Sequence, residues 1–110
     1  MNAKDEFLEE IGGKPKLKCA NIKLEVEYDK YKIYSLPIGF TNKQFDEYLA
    51  SLDFEYDDGY GGQELYGNIW FEDGTWCERH EYDGSECWHY KKCPTIPKED
   101  APTSEAKNEL

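Results

Sequence analysis

Gln63–Lys92 reads QELYGNIWFEDGTWCERHEYDGSECWHYKK, and its reading decides the fold. The stretch holds all three tryptophans, both histidines, two of the four cysteines and the single arginine. It contains two Asp-Gly steps, Asp73-Gly74 and Asp83-Gly84, flanked by aromatic and β-branched residues. Both residues of such a step tolerate positive φ, the strongest short-range hairpin signal. A three-stranded antiparallel meander follows. With a two-residue loop at Asp73-Gly74, Phe71 pairs with Trp76. With a three-residue loop at Asp83-Gly84-Ser85, Tyr82 pairs with Glu86 and His80 with Trp88. Alternation then puts Leu65, Gly67, Ile69, Phe71, Trp76, Tyr82, Trp88 and Tyr90 on the core face, with Glu78 and His80 near its edge. The opposite face receives Tyr66, Asn68, Trp70, Cys77, Arg79, Glu81, Cys87, His89 and Lys91.

Outward from the meander, two helices and a hairpin are legible. Thr41 with Gln44 forms a capping box, and Phe40 with Phe45 a hydrophobic staple. Phe45, Tyr48, Leu49 and Leu52 make one apolar stripe, so Thr41–Leu52 is the main helix, packed on the sheet. Ala3–Ile11 is a shorter amphipathic helix carrying Phe7, Leu8 and Ile11, stopped by Gly12-Gly13. Ile22, Leu24, Val26 and Tyr28 alternate with charged residues as a half-buried strand. A turn at Asp29-Lys30 brings Tyr31 and Ile33 opposite Tyr28 and Val26. The expected fold is α+β, a single small domain over residues 1–93, ordered α-β-β-α-β-β-β with a mostly antiparallel sheet. Residues 94–110 read as a disordered polar tail.

The 110 residues carry a net charge of −11, unevenly spread. Residues 44–90 hold thirteen carboxylates and one base, a net −12; residues 1–43 are net +1 and residues 91–110 net 0. A field of that sign repels nucleic acid and anionic lipid and attracts basic proteins or cations. No apolar run is long enough to span a membrane, and the acidic start has no signal-peptide core. A cytoplasmic setting, direct nucleic-acid binding absent and membrane binding absent, is the expectation, with the cysteines as thiols.

The runs Gly67-Asn68-Ile69-Trp70-Phe71-Glu72-Asp73-Gly74-Thr75-Trp76, Glu78-Arg79 and Glu81-Tyr82-Asp83-Gly84-Ser85-Glu86 resemble a family of small acidic proteins encoded by bacteriophages. Leu52–Leu65 shares the likeness. The resemblance implies a phage setting and action in the cytoplasm of an infected cell. Cys77 and Cys87 stand where such proteins often hold a large apolar residue, which argues against metal ligation as a shared role.

Candidate chemistry is sparse. Cys77, His80, Cys87, His89 and Cys93 are zinc-type donors, but the expected register leaves Cys77 and Cys87 on one face about 13 Å apart along the strands, too far for one ion. A zinc-stabilised module using Cys77, Cys87, His89 and Cys93 is the alternative reading. A small hydrolase with paired carboxylates, Asp57 with Asp58 or Glu78 with Glu81, is another. Trp70, with Tyr66 beside it, offers a stacking face. The leading expectation is a non-enzymatic module without cofactor, whose acids occupy the groove of a basic, nucleic-acid-handling host protein in place of phosphates. Asp46, Glu47, Asp53, Glu55, Asp57, Asp58, Trp70, Asp73, Asp83 and Glu86 are the candidate contacts.

Overall fold

In the computed structural model, residues 1–56, 63–82 and 85–94 are described. Helix α1 (Ala3–Ile11) starts where the Asn2 side chain accepts from the Asp5 N–H, satisfying one of the free donors of a first turn. Helix α2 (Asn42–Ser51) has the full capping box between Thr41 and Gln44, and the Phe40 and Phe45 rings stack with centroids 5.8 Å apart. The strands are β1 (Leu17–Glu27), β2 (Lys30–Leu36), β3 (Leu65–Phe71), β4 (Trp76–Tyr82) and β5 (Ser85–Lys91). They form one sheet in the order β2-β1-β3-β4-β5, with every pairing antiparallel. The α-β-β-α-β-β-β order and the α+β class are those read from the sequence.

Both helices lie over one face of the sheet and enclose the core. Phe7, Leu52, Leu65, Ile69, Phe71 and Cys77 are fully buried. The Phe7 ring meets Tyr48 edge-on at 5.7 Å, and the Tyr48 hydroxyl donates to the Tyr34 carbonyl at 3.1 Å, tying α2 to β2. On α1 the inward stripe is Ala3, Phe7 and Ile11; Leu8, expected inside, is exposed.

The meander departs from expectation in both loops, and the two departures are of opposite sense. At the first, the Phe71 N–H bonds the Thr75 carbonyl and the Gly74 N–H bonds the Phe71 carbonyl. The loop is therefore three residues, with Gly74 at φ 90° in the left-handed position that such loops demand. Trp76 pairs with Trp70, not Phe71. At the second, Tyr82 pairs with Ser85, Glu81 with Glu86 and Arg79 with Trp88, so the loop is one residue shorter than expected. Each one-residue shift inverts faces. Together they turn β4 over and leave β5 as it was. Cys77 and Arg79 face the helices, while Trp76, Glu78 and His80 stand on the open face. Trp88 stays buried, whereas Tyr82 is exposed.

The first hairpin slips too. Glu27 pairs with Lys30 after an irregularity between Glu25 and Glu27, so Tyr34 and Leu36 take the buried side. Tyr31, Ile33, Val26 and Tyr28 are exposed. In the centre of the sheet Gly67 pairs with Ile22 at φ 132°. A Cβ there would run into the Asn21 carbonyl oxygen, so this strand interior requires glycine.

Candidate partner-binding surface

Turning β4 over puts the only arginine inside. The Arg79 side chain is 1% exposed, against 2% for Glu86 and 11% for Glu6. Its Nε and Nη2 donate to Glu86 Oε1 at 2.9 and 2.7 Å, its Nη1 to Glu6 Oε2 at 3.0 Å and its Nη2 to the Tyr56 hydroxyl at 2.6 Å. The guanidinium also lies against the rings of Tyr56 and Trp88. Tyr56 in turn donates to Glu6. Glu86 accepts the backbone N–H groups of Glu64 and Leu65 at 2.7 and 3.0 Å. One planar cation thus joins α1, the segment after α2, β3, β4 and β5. Burial pulls the Arg79 pKa down, but Glu6, Tyr56 and Glu86 outweigh it and the net shift is upward. Burial, then the bond to Glu6, raises the Tyr56 phenol.

Glu86 is accordingly not a surface contact: it is buried as the arginine's partner. The other expected contacts separate. Asp46 and Glu47 are exposed on the outer side of α2. Asp53 and Glu55 follow α2 and are exposed; Asp53 pairs with Lys4 at 3.6 Å and Glu55 with the Met1 ammonium at 3.3 Å. The Asn2 side-chain bond and then Lys4 hold the Asp53 carboxyl below its usual range. Asp73 sits in the β3–β4 loop, capping Thr75 through its N–H and hydroxyl, which lowers its pKa. Asp57, Asp58 and Asp83 lie outside the described residues.

Strand register sorts the remaining charge by end. Leu17, Phe71, Trp76 and Lys91 mark one end of the β1, β3, β4 and β5 ladders. Lys14, Lys16, Lys18, Lys91 and Lys92 stand there with Glu72 and Asp73, Lys14 paired to Glu10 at 3.5 Å and Lys91 to Glu78 at 3.4 Å. At the other end the β1–β2 turn, the start of β3 and the β4–β5 turn converge. Glu25, Glu27, Asp29, Glu64 and Glu81 stand there, with Lys30 paired to Glu27 at 3.2 Å. The Glu25 N–H bonds the Glu64 carbonyl at 2.9 Å. A groove of about 490 Å³ runs between Glu25–Tyr28 and Gln63-Glu64. The nearby Tyr66 phenol is raised by burial, then by Glu25, Tyr31, Glu86 and Glu81. Tyr56 meets Arg79 and Glu86 on this side, so Asp53 and Glu55 join the acidic end, while Asp73 belongs to the lysine end.

Trp70 is 38% exposed on the open face. It borders an apolar groove of about 300 Å³ with Ile38 and Cys19. Tyr66 lies on the same face, edge-on to Tyr31 at 5.7 Å.

The candidate chemistry changes with the register. Cys77 is buried beside Glu10, its Sγ 3.4 Å from Oε2; burial, then Glu10, pushes the thiol up to about 12. It faces the core while Cys87 faces solvent, so the set Cys77, Cys87, His89 and Cys93 cannot enclose one ion. Glu78 and Glu81 project to opposite faces of β4, which removes them as a hydrolytic pair. Sequence reasoning missed Arg79, Glu6 and Tyr56. The available signal was Glu6 and Glu10 flanking Phe7 on an inward stripe, which calls for buried donors. No helix among the described residues is long and apolar enough to cross a membrane. Comparison with family models, curated proteins and solved structures finds no match to this chain.

Proposed function

We propose that the chain is a non-enzymatic, phage-type binding module that presents its acidic end to a basic host protein, standing in for the phosphates of a nucleic acid. The observation that supports this reading is a bias of charge along the strands: among the described residues Glu25, Glu27, Asp29, Glu64 and Glu81 outnumber Lys23, Lys30 and Lys32 at the end with the β1–β2 turn and the start of β3, whereas five lysines stand at the opposite end. Fields from such an end steer a cationic partner and orient it. The arginine-centred interior holds β3, β4 and β5, and the β1–β3 ladder joins β1 to them, which lowers the ordering entropy that opposes binding.

The test begins with affinity capture from bacterial lysate and mass spectrometry, followed by titration of the purified partner. Affinity should fall as salt rises from about 50 to 300 mM, since surface charges are screened over about 10 Å or less. Reversing Glu25, Glu27 and Glu55 to lysine should weaken binding by about threefold to a hundredfold, each rim pair contributing roughly 0.2–1 kcal/mol. Reversing Glu72 and Asp73, at the other end, should not. Equal effects from the two sets, or none from the first, would sink the proposal.

A further inference from the structure

We propose that the open face of the β4–β5 hairpin is a transition-metal site of zinc type, with His80, Cys87 and His89 as ligands and water completing the shell. Register places the three side chains together. His80 pairs directly with Cys87, and His89, two residues along β5, pairs with Glu78. Directly paired residues have Cβ atoms about 4.5–5.5 Å apart, and next-but-one residues on a strand about 6.5–7 Å. The donors therefore occupy three corners of one small rectangle. The two imidazoles already share its centre: their rings stack at 4.2 Å with an 18° tilt. His80, Cys87 and His89 are all exposed, so an ion can reach them.

Thiolate plus two imidazoles is a borderline-soft donor set that suits Zn²⁺ and leaves an open fourth position. Glu78 fills the fourth corner but is engaged, accepting from Trp76 Nε1 at 2.9 Å and pairing with Lys91 at 3.4 Å. It serves as a neighbouring anion. As the side chains stand, no group of three or more His, Cys, Asp or Glu among the described residues is placed to hold an ion, so the site forms only when these side chains turn. Binding rotates the exposed imidazoles out of their stack about χ1 and χ2 and moves the thiol proton to solvent. Core packing is untouched, because β4 and β5 turn their other faces to the helices. The chain's charge of −11 also raises the local cation concentration.

The experiment titrates Co²⁺ into the reduced, metal-free full chain and then displaces it with Zn²⁺. One equivalent should bind and give a tetrahedral cobalt spectrum with a thiolate-to-cobalt band in the near ultraviolet. Cys87→Ser should abolish that band. His80→Ala and His89→Ala should each weaken Zn²⁺ by more than about tenfold, ligand loss costing at least what loss of a ligand's supporting partner costs. All three positions are exposed, and unchanged circular dichroism would verify that the variants fold. Cys93→Ser should leave binding as it is. The proposal is overturned if no thiolate band forms at about one equivalent of Co²⁺ in micromolar protein. It is equally overturned if the band survives Cys87→Ser, vanishes with Cys93→Ser, or ignores both histidine variants.

Discussion

Replacing Arg79 with methionine keeps the apolar stem of the side chain and deletes the guanidinium with its charge. Two carboxylates that are 2% and 11% exposed then face each other and the Tyr56 hydroxyl without a cation. Removing one partner of a buried pair costs about 3–5 kcal/mol, because the survivor is left charged in a medium that solvates it poorly. The high end applies here, since two survivors repel. The low end is set by Glu86, which keeps the Glu64 and Leu65 N–H groups. A domain of this size is stable by about 5–15 kcal/mol in all. At about 4–8 °C per kcal/mol, the melting temperature should fall by roughly 12–40 °C. Urea unfolding followed by tryptophan fluorescence gives the free energy directly, because Trp88 lies against the guanidinium. Arg79→Met with Glu86→Gln should recover about 1 kcal/mol or more relative to additivity. If Arg79→Met unfolds within about 1 kcal/mol of the parent, the interior ion cluster is hydrated and the reasoning fails.

Gly67→Ala should destabilise by about 1–3 kcal/mol through backbone strain and a similar amount through overpacking, read as a lower urea midpoint; an unchanged midpoint would contradict the close β1–β3 approach. With a thiol reagent at about pH 8, below an ordinary thiol pKa, exposed Cys87 and Cys93 should react quickly. Cys77 should react only as the chain unfolds, and early modification of Cys77, mapped by peptide mass, would refute its burial. Stability should fall in both acid and alkali. Asp53, Asp73 and Glu78 are depressed by their hydrogen bonds, so what they lend is present above the ordinary carboxyl range and disappears as pH drops through the lowered values. Tyr48, through burial, and Tyr56, through burial and Glu6, are raised. Their contribution is complete below the ordinary phenol value of 10 and is lost above it. A urea midpoint at about pH 10.5 equal to that at pH 7 would contradict the alkaline limb.

Local signals were legible and their spatial sum was not. Capping residues and glycines announced both helices, because those motifs act within four residues. The two Asp-Gly steps announced turns, yet Asp-Gly fits a two-residue loop or the last two places of a three-residue one. That ambiguity of one residue is enough to invert a strand, and β4 was read inside out. Arg79 and Cys77 therefore fall, in the sequence reading, on the face opposite the core with Cys87. Glu86 was legible as an acid but not as an interior one, since its burial depends on a cation from another strand and on α1. The charge asymmetry was visible as a segment total. Its division between two ends of the sheet needed the register.

The β1–β3 ladder has a consequence for how the molecule assembles. Its partners are far apart along the chain, Leu24 with Leu65 and Leu17 with Phe71, whereas β1–β2 and β4–β5 join near neighbours. Closing so wide a span sacrifices chain entropy before any contact repays it. Within the sheet, two groups of near-neighbour strands are thus joined along one long-range ladder. Gly67 lies in that ladder, where a missing side chain lets the two groups meet.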